Sequence, residues 1–112
     1  MMKRTIPFAL TALAALALFS SAANADIKKG QKAYLKQCKK CHGNGTKGAA
    51  MKTRSEWAHA FENDAEIFKQ WHKGDPKAWK YVNGRKFKRS ARHLKDFLFE
   101  YGSDSGNVPS CG

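Results

Sequence analysis

Cysteine is scarce in this chain: Cys38, Cys41 and Cys111 are the only three, too few for the disulfide framework that stabilises many small domains. Strand patterning is also missing. No stretch alternates apolar and polar residues over a useful length, and there is no internal repeat or low-complexity tract, so an all-α class is left. Acidic side chains are few, 9 Asp and Glu against 21 Lys and Arg in 112 residues. Methionine is rarer still, with Met51 the only one beyond the first two positions.

Long apolar runs are absent apart from Phe8 to Phe19, which follows the basic pair Lys3 and Arg4 and precedes Ala23-Asn24-Ala25. A positive start, a short apolar run and a small-x-small site match a secretory signal peptide over residues 1–25, cleaved after Ala25. The run is too short to span a bilayer comfortably. The mature domain is then 26–112, one domain with a limited core that needs a supplement such as a large cofactor. With Lys3 and Arg4 removed, 19 Lys and Arg still face 9 Asp and Glu, for a net charge of +10. Basic residues recur along the whole chain. Export argues against nucleic acid as the partner and favours acidic docking patches on proteins or an anionic membrane surface.

The mature sequence reads as a small bundle of about four amphipathic helices joined by Gly-containing loops. The first runs from about Ile27 to Lys40, and the Gly-, Asn- and Ala-rich loop from His42 to Thr53 shows no periodic face. Ser55 is the expected N-cap of a second helix bearing Trp57, Ala60 and Phe61. Asn63 with Glu66 resembles a capping box for a third, bearing Ile67, Phe68 and Trp71 and stopped by Gly74. Asp75 and Pro76 supply an N-cap and first-turn proline for a short turn with Trp79 and Val82, and Asn83-Gly84 marks a further turn. Ser90 is the expected N-cap of the last helix, whose face is Ala91, Leu94, Phe97, Leu98 and Tyr101 and whose end is Gly102. An irregular tail follows from Ser103.

Cys38-Lys39-Lys40-Cys41-His42 is the C-x-x-C-H pattern of covalent haem attachment. Two thiols three positions apart on a helical turn point the same way and can reach the two vinyl groups on one porphyrin edge, and His42 can bind iron from the proximal side. The rival readings each lack something. A thioredoxin-like pair needs a βαβ setting, a structural zinc site needs two further ligands, and a plain disulfide does not need His42.

On these residues the mature chain resembles the monohaem class I c-type cytochromes. Gly30 and Tyr34 stand where that family carries a helical Gly and an aromatic ahead of the haem motif, and Cys41-His42-Gly43-Asn44-Gly45 resembles its continuation. The resemblance implies a cytochrome c-like bundle around one covalent haem c, with Gly30 letting the first helix approach the aromatic last helix closely. It also implies a Met sixth ligand near Asn83 to Phe87. No Met is there.

The sixth ligand is therefore open. His72 lies about 40° of helical arc from Phe68, at the border of an apolar face, and is the first choice. Met51 is the runner-up, with packing as its alternative role. His93 lies about 40° from Phe97, on a helix expected to pack against the first, and His59 lies about 160° from Trp57 and faces solvent. Lys80, Lys86, Cys111 or an open, water-occupied position are the other candidates.

The function implied is a periplasmic one-electron carrier rather than an enzyme, with acidic redox proteins as partners and Lys39 and Lys40 beside the haem edge. An open distal site would instead give a nitric oxide or carbon monoxide binding protein, and a permanent partner would make the chain a haem subunit of a larger redox complex. Trp57, Trp71 and Trp79 are expected to wrap the porphyrin and form the core.

Overall fold

Phe87, Ala91, Leu94, Phe97 and Leu98 repeat at steps of three and four, and that repeat becomes the longest helix of the computed structural model, which describes residues 26–110. Residues 1–25, read above as a signal peptide, and Cys111 lie outside the described residues. The helices among the described residues are α1 (26–37), α2 (Lys39–His42), α3 (Gly45–Ala49) and α4 (Arg54–Ala60), then α5 (Glu62–Gln70), α6 (Pro76–Val82) and α7 (Arg85–Glu100). No strand occurs among those residues. The all-α, cytochrome c-like expectation is met, although seven short segments replace four longer ones.

α7 organises the rest. Its buried face of Phe87, Leu94, Phe97 and Leu98 packs against α3, α4 and α6. α1 crosses α7 at Gly30, where a Cβ would collide with the His93 carbonyl and lie 2.7 Å from Phe97 Cβ. One turn further along α1, Tyr34 sets its ring 5.7 Å from that of Phe97. Gly30 and Tyr34 therefore act as the resemblance implies, one allowing the approach and the other filling it.

Four boundaries differ from the sequence reading. The first helix breaks at Cys38, a turn residue, and α2 starts afresh at Lys39. The N-cap of α4 is Thr53 rather than Ser55, because Thr53 is extended, accepts from Glu56 N–H and receives the Glu56 side chain in a complete capping box. Asn63 caps nothing: Asn63, Asp64 and Ala65 all take left-handed backbone angles, φ 53°, 58° and 57°, whereas an N-cap must be extended. Asn and Asp tolerate that conformation better than other side chains. Ser90 sits inside α7 and donates its hydroxyl to the Lys86 carbonyl at 2.8 Å; the helix starts a turn and a half earlier because Phe87 extends the apolar face.

Other boundaries agree. Asp75 accepts from Ala78 N–H at 3.0 Å with Pro76 in the first turn of α6. The chain before Asp75, residues 71–74, is a run of turns that includes Gly74. Beneath α7, aromatic rings form the core: Phe87 stacks on Phe68 at 5.4 Å and on Phe61 at 6.5 Å.

Candidate functional site

Tyr34 positions the segment that carries the motif. Its hydroxyl donates to the carbonyls of Gly43, at 2.8 Å, and Asn44, at 3.2 Å. Burial, then the nearby Cys38, pushes this phenol up to about 12. Gly43, at φ 80°, ends α2 in a conformation that glycine adopts without strain. Asn44 then caps α3 by accepting from Lys47 N–H. α3 is small enough to slide under Tyr34, since a Cβ on Gly48 would collide with the Tyr34 ring. The Trp57 indole ties the end of α3 to α4 by donating to the Ala49 carbonyl at 2.8 Å.

Two cavities, of about 300 and 350 Å³, open beside α2 and α5, the first reaching toward α3, α4 and α7 and the second toward α6. Both are lined by Cys38, His42, Phe68 and His72, so they are two lobes of one slot with the histidine pair at its waist. Trp57, Trp71, Met51 and Leu98 add to the first lobe, and Tyr81, Val82 and Cys41 to the second. The walls are largely aromatic and aliphatic, as a flat hydrophobic cofactor requires. The ring centroids of His42 and His72 stand 6.0 Å apart, with their planes nearly perpendicular at 88°.

The cysteines stand at the border of this slot. Both thiols are free, Cys38 half-buried and Cys41 exposed. Burial, then Cys41, pushes the Cys38 thiol up to about 12. A thioredoxin-like nucleophile needs the opposite shift. Burial, then the neighbouring His72, lowers the pKa of His42 and favours the neutral imidazole that metals bind. Among the described residues no three His, Cys, Asp or Glu side chains converge to hold a metal ion unaided, so the zinc reading finds no ligand set. What is present suits a haem: thiols at one border, two imidazoles 6.0 Å apart at the waist, and largely apolar walls.

The remaining candidates are scattered. His59 is exposed and pairs with Glu62 at 3.2 Å, as expected. His93 lies between α1 and α7, its Nδ1 3.3 Å from Asp26 Oδ1 but without a hydrogen-bond partner. It lines neither lobe, and neither do Lys80 and Lys86. Met51 borders the first lobe but is 54 % exposed. Trp79 packs against the core instead of the slot.

Sequence reasoning missed Phe68 as a wall shared by both lobes and Gly48 as the cradle under Tyr34. It placed Lys40 at the edge but missed Lys52 and Lys77. Lys52 borders the first lobe with its Nζ 4.9 Å from the Trp71 ring, while Lys40 and Lys77 border the second.

Helices packed around α7, with a thiol-bordered slot at which two imidazoles meet, are consistent with a cytochrome c domain, the fold of haem-based electron transfer. Residues 25–97 match the family described as cytochrome C oxidase, cbb3-type, subunit III, and the chain belongs to that family. No curated protein and no solved structure matches it. No helix among the described residues is long and apolar enough to cross a membrane.

Proposed function

We propose that the protein is an exported, periplasmic one-electron carrier that holds one haem c through thioethers from Cys38 and Cys41, with His42 as an axial iron ligand. The observation that carries this reading is the slot itself, bordered by two free thiols with His42 reaching into its waist. Each thiol adds its sulfur and hydrogen across one vinyl double bond, so attachment consumes no oxidant. When bound, the haem supplies reversible one-electron transfer. The chain's own residues do the rest. Tyr34 fixes the backbone just after His42, Trp57 and Phe68 keep water from the slot, and Lys40, Lys52 and Lys77 border it with positive charge.

That rim suits transient docking onto acidic patches of redox partner proteins, or onto an anionic membrane surface. Nucleic acid is not a partner on this reading, and no side chain acts as a catalytic acid or base. The family's description as an oxidase subunit supports a second reading, in which the same domain sits permanently in a larger redox complex. Co-purification that survives high salt separates the two, because charge-steered encounters are screened.

The test of the first reading is expression with the leader in a host that matures c-type cytochromes. Haem should stay with the denatured polypeptide on a gel, and the protein should titrate as a single one-electron couple. Cys38→Ala/Cys41→Ala should release its haem on denaturation. Haem that is extractable from the unaltered chain would refute the proposal.

A further inference from the structure

We infer that His72 is the second axial ligand, so that iron in this slot is held by two histidines; the inference rests on the haem reading above. The first ground is separation. Two metal–imidazole bonds of about 2 Å each, plus the half-widths of two rings, require about 6 Å between ring centres, and the His42 and His72 centroids are 6.0 Å apart. The second is placement. Both rings line both lobes and so meet at the waist, where a planar group held between them would take one imidazole on each face.

The third ground is the orientation of His72. Its Nδ1 lies 2.7 Å from the carbonyl oxygen of Phe68, which only accepts, so Nδ1 carries the hydrogen and donates. The Nε2 lone pair is thereby left free. A backbone carbonyl holding the far nitrogen is the usual support for a ligating histidine, fixing its tautomer and raising its basicity. The Phe68 ring, 4.7 Å from that of His72, limits its rotation further.

The competing donors are placed elsewhere. Met51 borders one lobe only and is more than half exposed. His93 and His59 lie outside the slot, near Asp26 and Glu62 respectively. Lys80 and Lys86 line neither lobe. Two imidazoles leave the iron six-coordinate and closed to small ligands, and they set a lower potential than a sulfur ligand does.

The experiment is optical and paramagnetic-resonance spectroscopy of the purified ferric holoprotein, together with His72→Gly, His72→Met and Met51→Leu. Covalent haem is first confirmed on denaturing gels, so loss of haem reports against the attachment reading and a wrong ligand against this one. The unaltered protein should be low-spin without the far-red sulfur–iron band, and its ferrous form should bind carbon monoxide at least tenfold more slowly than His72→Gly. His72→Gly should turn high-spin and return to low-spin with added imidazole, a rescue that a misfolded variant would not show. His72→Met should gain the sulfur–iron band, and Met51→Leu should change nothing. A sulfur–iron band in the unaltered protein that disappears in Met51→Leu, or a low-spin His72→Gly spectrum before imidazole is added, would overturn the inference.

Discussion

Adding one methyl group at Gly30 should destabilise the protein more than its helical position suggests. The new Cβ would meet the His93 carbonyl carbon at 2.6 Å and Phe97 Cβ at 2.7 Å. Ordinary carbon contacts are about 3.5 to 4.0 Å, so α1 and α7 must separate by about 1 Å. Neither obstacle is the free end of a flexible side chain. Overpacking of this kind costs about 1 to 3 kcal/mol, and the better helix propensity of alanine returns up to about 1. A net loss of about 1 to 2 kcal/mol is expected for Gly30→Ala. Guanidinium unfolding of the holoprotein, followed by tryptophan emission, should show a lower midpoint at unchanged slope. Gly74→Ala is the control, because nothing lies within 4 Å of its Cβ and its backbone needs no positive φ. It should be neutral or slightly stabilising. If Gly30→Ala were as stable as Gly74→Ala, the close crossing would be wrong and α1 would pack elsewhere.

Thr53→Ala should cost about 1 kcal/mol by removing the capping box of α4, whereas Ser55→Ala and Ser90→Ala should stay within about 0.5 kcal/mol; urea midpoints of the three distinguish real caps from apparent ones. Tyr34 ties stability to alkaline pH. Its phenol ionises near 10 in the unfolded chain and about 12 in the folded one, so its contribution is complete below pH 10 and is lost as pH rises through 12. Tyr34→Phe should lose about 1 kcal/mol at neutral pH, from the hydrogen bond to Gly43, and should show a shallower decline between pH 10 and 12 when midpoints are measured across that range. An unchanged slope would mean that the phenol is not buried in solution.

The attachment motif was legible because its chemistry is local: Cys38, Cys41 and His42 need only consecutive positions on one turn. The α7 face was legible for the same reason, since its spacing is written in five apolar residues. Helix starts were harder. Ser55, Asn63 and Ser90 each carry a capping side chain, but a cap is decided by backbone angles, and Thr53, two residues before Ser55, holds both an extended backbone and Glu56 at the right distance. α3 was invisible because Gly45, Gly48 and Ala49 have no periodic face; their smallness is itself the packing signal, readable only once Tyr34 is known to lie above them. His72 was the first choice from helical phase, but phase alone could not show that its ring stands opposite His42. That juxtaposition depends on how the chain turns at residues 63–65 and again at 71–74.

Tyr34 touches two parts of the molecule at once: its ring lies on Phe97 of α7 and against the Gly48 backbone, and its hydroxyl holds the carbonyls of Gly43 and Asn44. Undocking α1 from α7 therefore also releases the turn after His42. Amide hydrogens of α1, residues 43–49 and the middle of α7 should exchange with solvent as one cooperative unit, with a single opening free energy. The border of the slot would then be as slow to breathe as the helix crossing beneath it, even though its own backbone lies in short turns near the surface.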